Sequence, residues 1–235
     1  MLEELPDGLT SLRNGARLAA EMPDALRAAM INDPLLGRSG EPLDPGVLLT
    51  PAPGRRARVS VISFVGLPAA AQRESFVNQL QMALFSWIKA NPAGDRPLGG
   101  LFVMDEAQNF ASSGAYTACT ASTIALASQA RKYGLGLIFA TQAPKGLHNR
   151  VSGNAATQFY GFLNASAQIA AATELARAKG GRVDDISRLD AGQFYVASEG
   201  TGFQRIRVPQ CLSHHPPSPP TEEEVVAKAA RGLDM

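Results

Sequence analysis

Leu101-Phe102-Val103-Met104-Asp105-Glu106-Ala107-Gln108 runs four apolar residues straight into two carboxylates. With Gly100 in front of it, Leu101–Met104 reads as a short strand bounded by turn residues. In a parallel sheet, ligands bind beyond the carboxyl ends of the strands, so this spacing delivers both acids to that edge. Asp105 is placed to hold Mg²⁺ through water, because Mg²⁺ prefers carboxylate oxygen and keeps much of its hydration. Glu106, one residue on, is directed differently and can orient or deprotonate an attacking water. The plainer alternative is a strand followed by an acidic helix N-terminus, where the helix dipole favours carboxylates.

The next strand strengthens the first reading. Leu135-Gly136-Leu137-Ile138-Phe139-Ala140 ends in Thr141-Gln142 at the same expected sheet edge, where an amide can sense a γ-phosphate or position a water. Upstream, Val59–Val65 is short, β-branched and bounded by arginines and Gly66-Leu67-Pro68, which predicts a strand. Ala70 to Ala90 predicts a helix, with Phe76, Leu80, Leu84 and Trp87/Ile88 at helical spacing and Asn91-Pro92 as its stop. A Ser-, Gly- and Thr-rich loop over 111–120 leads to a helix near 121–133 capped by Gly134.

Downstream, Gln158–Leu163 predicts a fourth strand and Ser166–Lys179 another helix. Gly192–Ala197 and Phe203–Val208 flank Glu199-Gly200-Thr201-Gly202 as a hairpin. After the Pro-rich 214–220, Thr221 and Glu224 form a capping box for a last helix. Near the start, Leu12–Met30 is helix-prone, and Pro23 is expected to split it, since proline removes a donor and clashes with the preceding turn. The alternation of strands and helices predicts a mainly parallel sheet with helices on its faces.

Bulk properties bound the function. The 235 residues are enough for a sizeable core, and 45% hydrophobic with 18% charged residues is ordinary for a globular protein. A net charge of +1 gives no general affinity for nucleic acid, although a local basic patch could still attract it. Two cysteines, Cys119 and Cys211, are too few for a disulfide framework and predict a reducing cytoplasm. No apolar run reaches the ~20 residues that span a bilayer, and the acidic, Pro-broken start is no secretory signal.

Leu101–Gln108 followed by Gln129-Ala130-Arg131-Lys132-Tyr133-Gly134-Leu135-Gly136-Leu137-Ile138-Phe139-Ala140-Thr141-Gln142-Ala143-Pro144 resembles the HerA–FtsK superfamily of DNA-pumping ATPases. The likeness is nearest to HerA-type helicases and type IV secretion ATPases, and extends from about Leu43 to Val208. It implies a P-loop NTPase core of RecA/FtsK-like α/β fold using ATP and Mg²⁺. Asp105 takes the place of the Walker B metal residue, Glu106 of the catalytic base and Gln142 of the strand-end sensor. Arg131 lies in the basic step that in relatives approaches a neighbouring subunit's nucleotide, with Lys132 as its substitute. Asn154 falls where relatives often carry asparagine. Such motors work as ring hexamers on double-stranded DNA, which implies a homo-oligomer here; a secretion or conjugation ATPase moving other cargo is an alternative.

One part of the pattern is missing. A phosphate-binding Walker A loop needs G-x-x-x-x-G-K-[ST], and no Gly-Lys pair occurs in the sequence. Gly37-Arg38-Ser39-Gly40 is a poor imitation, with no strand before it or convincing helix after it. The expected core is therefore incomplete, without the Walker A strand and helix. The chain reads as the C-terminal portion of a longer ATPase, or as a non-catalytic subunit that pairs with an active motor. Its expected segments are a helical and loop stretch over 1–56, the core over 57–210 and a Pro-rich tail with a helix over 211–235.

Three weaker candidates have simpler explanations. Cys211, His214 and His215 lack a second ligand pair for a metal site. Phe64, Phe76, Phe85, Trp87 and Phe139 read as core, and Arg55, Arg56 and Arg58 as a solvated turn.

Overall fold

The computed structural model describes residues 15–32, 43–213 and 217–233. The order of elements is α1 (Gly15–Asn32), α2 (Pro45–Leu49), α3 (Ala70–Ala90), β1 (Gly100–Met104), α4 (Ala118–Gln129), β2 (Leu135–Phe139), α5 (Asn149–Gly153), β3 (Thr157–Tyr160), α6 (Ser166–Ala178), β4 (Gln193–Ser198), β5 (Gly202–Arg207) and α7 (Glu222–Leu233). Short 3₁₀ turns at Ala107–Asn109, Ala130–Tyr133 and Ile186–Arg188 link them.

The fold is α/β, built around one parallel strand pair. β1 and β2 run in register from Gly100 opposite Leu135 to Met104 opposite Phe139. Their crossover is α4, which a parallel connection requires. Helix α3 buries Val77, Leu80, Gln81, Leu84 and Ile88, a stripe at helical spacing. It stops where Asn91 turns back, its backbone N–H and side-chain amide both donating to the Trp87 carbonyl, ahead of Pro92. Gly134 ends the turn after α4 at φ +81°, and a Cβ there would lie 2.2 Å from that of Ala93, so only glycine fits.

Two hydrophobic clusters fill the space between α3, α4 and the strand pair. One joins Val77, Met104, Phe110, Cys119, Ile124 and Val151, with Phe64, Phe76 and Phe139 packed against it. The other joins Ile88, Leu126, Ala130 and Leu135, with Phe85 and Trp87 alongside. The aromatics expected in the core are there. Between α3 and α4 lies a polar knot: fully buried Gln81 donates from Nε2 to Thr123 Oγ1 at 2.9 Å and accepts from Ser122 Oγ at 2.5 Å. Burial, with a smaller contribution from the charge of Glu74, pushes the neighbouring Cys119 thiol up to about 11.

The opposite face of the strand pair is largely open among the described residues, with Leu98 against it at Gly136. Register places Leu101, Val103, Gly136 and Ile138 together on it, and Leu101, Val103 and Ile138 are 47%, 58% and 50% exposed. Parallel sheets are ordinarily covered on both faces, because their strands are apolar on both.

Three expectations need correction. Val59–Val65 forms no ladder: residues 57–64 carry no strand pairing, and Val59 and Val61 are 86% and 87% exposed. Its tie to the rest is Ser60 Oγ donating to the Leu48 carbonyl at 2.8 Å, while Phe64 packs on Phe76 and Phe110. β-Branched side chains favour an extended backbone, but a strand needs a partner for its N–H and C=O groups. Second, the sheet is not mainly parallel. β3 pairs antiparallel with β4, and β4 with β5, as a separate three-stranded sheet over α6. The expected hairpin is present, turning through Glu199–Thr201, and it captures β3 by hydrogen bonding. Third, Pro23 does not split α1, which is continuous over Gly15–Asn32.

The capping box holds: Thr221 Oγ1 accepts from the Glu224 N–H at 3.3 Å, and Glu224 Oε2 from the Thr221 N–H at 3.0 Å. Gly37–Gly40, His214 and His215 lie outside the described residues. No helix among the described residues is long and apolar enough to cross a membrane.

Candidate functional site at the carboxyl edge of the parallel strands

The site begins with a break in the ladder. The pairing of β1 with β2 continues one step past both strands, as the Ala140 N–H donates to the Met104 carbonyl at 2.9 Å. In a regular parallel ladder the Ala140 carbonyl would next accept from residue 106. It accepts instead from the Ala107 N–H at 2.9 Å. One residue is therefore extra, and the chain bulges outward at Asp105-Glu106.

The bulge imposes a left-handed backbone on Glu106 (φ 49°, ψ 44°), the only positive-φ residue other than glycine among the described residues. Such a conformation is uncommon for a residue with a Cβ and persists where its surroundings over-determine it. The displaced Glu106 N–H is taken up by Asp105 Oδ1 at 3.0 Å. The loops after the two strands are also joined. Ser112 bridges to Leu147, the Ser113 N–H donates to the Gly146 carbonyl, and the His148 N–H donates to that of Ala111.

This frame brings Glu106 against Gln142. Gln142 Nε2 donates to Glu106 Oε1 across the ends of the two strands. Gln108 Nε2 donates to the other oxygen, Oε2, at 2.6 Å. Gln108 is in turn held by Thr141, whose hydroxyl donates to Gln108 Oε1 at 2.5 Å while accepting from the Ala143 N–H at 3.0 Å. Asp105 is exposed beside this network. Two of the residues, Gln108 and Thr141, were not singled out from the sequence. Their signal was position: one follows Glu106 by two, the other precedes Gln142.

Arg131 and Lys132 are not part of this assembly. Both are exposed in the 3₁₀ turn before β2, whereas Gln142 follows it. A five-residue strand separates them, about 16 Å at the usual rise. Asn154 is exposed and its Nδ2 donates to the Arg150 carbonyl at 2.6 Å, ending α5. Arg55, Arg56 and Arg58 are exposed, with Arg58 Nε donating to Ser60 Oγ.

Chemically, the site offers carboxylate oxygens, amide donors and no fixed cation. No group of three or more His, Cys, Asp or Glu placed to hold a metal occurs among the described residues. That donor set does not fit a metal caged by protein. It is compatible with Mg²⁺ held by one exposed carboxylate and otherwise by water and phosphate, a carboxylate that Asp105 would supply.

No protein-family model matches the chain, and no curated protein does. Among solved structures, it is similar to the genome packaging NTPase B204 from Sulfolobus turreted icosahedral virus 2. Against the complex with AMP the identity is 17% and the TM-score 0.44, covering 58% of this chain and 63% of that one. Against the ATP-gammaS complex the values are 18% and 0.44, covering 58% and 62%. The chain thus spans less than two thirds of these structures' length.

Proposed function

We propose that this chain is the water-activating half of a nucleotide-hydrolysing core whose phosphate grip comes from another segment or a partner polypeptide. The observation that carries the reading is the hydrogen bond from Gln142 to Glu106, made at the carboxyl edge of two adjacent parallel strands. It joins the residue suited to activating water to the residue suited to sensing a phosphate. The exposed apolar face of Leu101, Val103 and Ile138 supports the second part, since a further helix packed on it would cover it.

In the assembled site, Glu106 accepts a proton from water as the water oxygen bonds to the γ-phosphorus. The β–γ bridging P–O bond then breaks, and ADP leaves with the bond's electrons. Asp105 would hold Mg²⁺ through water, and the ion would supply positive charge to offset that of the phosphates. Gln142 reports the state of the γ-phosphate. Arg131, at the far end of β2, serves a nucleotide bound on a neighbouring copy. By the resemblance of 101–108 and 129–144, the motor is a ring that moves duplex DNA. A steep fall in duplex binding with rising salt is expected of the assembled protein, and its absence would favour a different cargo.

The lack of any Gly-Lys pair favours a second reading, a non-catalytic subunit beside an active motor. Titration calorimetry and turnover separate the two. The isolated chain is expected to show no micromolar affinity for Mg-ATP. Joined to a G-x-x-x-x-G-K-[ST] segment, found in frame upstream or in a partner, it is expected to hydrolyse ATP. Glu106→Gln should then retain nucleotide and nearly abolish turnover, while unchanged turnover removes Glu106 from the mechanism.

A further inference from the structure

The network around Glu106 has two unlike halves. Gln142 is exposed, and its bond to Glu106 Oε1 faces solvent. Gln108 and Thr141 are half-buried, and the bonds linking them to Oε2 are shielded. The shielded half also has a forced direction. An ionised carboxylate can only accept, so the Gln108 amide must turn its nitrogen to Glu106 and its oxygen to Thr141. The Thr141 hydroxyl must then donate to that oxygen, and its lone pair is free to accept from the Ala143 N–H. Turning the Gln108 amide over would set its oxygen against the Glu106 carboxylate and lose that bond.

We propose that Gln108 and Thr141 are a positioning pair that aims the Glu106 carboxylate independently of Gln142. Gln142 is the exchangeable donor: when it turns toward a phosphate oxygen, Oε1 is released while Oε2 stays held. The left-handed backbone of Glu106 places its side chain between these partners, and the Gln108 bond keeps it there. This assignment deepens the reading of Glu106 as the water-activating base and rests on it. It adds that the base is oriented before a ligand arrives, with only one of its oxygens releasable.

The test uses side-chain amide NMR on the full ¹⁵N-labelled chain, without nucleotide. In the native protein the Gln108 side-chain amide protons should exchange with solvent on the order of tenfold more slowly than those of an exposed glutamine. Thr141→Val should remove that protection and displace the Gln108 signal. Thr141→Ser, which keeps the hydroxyl, should restore both. Gln142→Ala should leave the Gln108 signal and its protection unchanged. The assignment is overturned if Thr141→Val leaves Gln108 unmoved, if Thr141→Ser fails to restore it, or if Gln142→Ala releases Gln108 as well. Failure of the base reading would appear elsewhere, as unchanged turnover of Glu106→Gln in the complemented assembly with these signals intact.

Discussion

Replacing Val103 with lysine should cost this chain little, while the same change at the adjacent Met104 should destabilise it strongly. The two residues are consecutive on β1 and so point to opposite faces. Met104 is 5% exposed within the cluster beneath α3 and α4, whereas Val103 is 58% exposed on the uncovered face. Full burial of an aliphatic side chain contributes about 2 kcal/mol. Val103, with roughly two fifths of that burial, stands to lose about 1 kcal/mol, and its lysine can extend its ammonium into water. Met104→Lys would strand a charge in an apolar cluster, for which a loss of about 3–5 kcal/mol is the reasonable scale. With a urea slope of about 2 kcal/mol/M, the midpoints should fall by about 0.5 M for Val103→Lys and by 1.5 M or more for Met104→Lys. Urea unfolding followed by circular dichroism reads both. Equal losses would mean that the face is already covered, and would refute the reasoning that the sheet is incomplete. In the complemented assembly the order should change: Val103→Lys becomes strongly disruptive, because its face is then covered.

Further outcomes follow from the buried groups. Gln81→Leu removes the hydrogen bonds that join α3 to Ser122 and Thr123 of α4 and should cost about 1–3 kcal/mol in urea unfolding. Adding Ser122→Ala and Thr123→Val should recover part of that loss, since neither hydroxyl is then left without its partner; a triple variant no more stable than Gln81→Leu would argue against the network. For Cys119, with its folded pKa raised from 9.0 to about 11, stability is unaffected at lower pH, where the thiol is neutral in both states. It should fall as pH rises above 9, where only the unfolded thiol ionises, and the loss should level off above 11 at about 2–3 kcal/mol. Cys119→Ala should abolish that slope, and an unchanged slope would assign it to other groups. Iodoacetamide at pH 8 should label exposed Cys211 well before buried Cys119, and equal rates would contradict the burial.

The site was legible only where its chemistry lies along the chain. Four apolar residues leading into Asp105-Glu106, and a second apolar strand leading into Gln142, could be read because alternating and apolar patterns locate strand ends. Gln108 and Thr141 could not be assigned roles this way. They are 33 residues apart and meet through the β1–β2 register and the extra residue in the ladder. A one-residue bulge leaves no mark on hydrophobic periodicity.

Helix α3 was determined by the sequence itself, from Ala70 to Ala90, since its buried stripe and its Asn91-Pro92 stop are both local. The capping box of Thr221 and Glu224 was equally local. Strand pairing was decided only by tertiary structure. Val59–Val65 has the residues of a strand but no strand to pair with among the described residues, so it carries no ladder, whereas Thr157–Tyr160 was claimed by the β4–β5 hairpin instead of a parallel neighbour. Helical hydrogen bonds close within four residues and can be read from one segment. A strand's bonds are made to residues far away, so its place in a sheet depends on which partner the fold supplies.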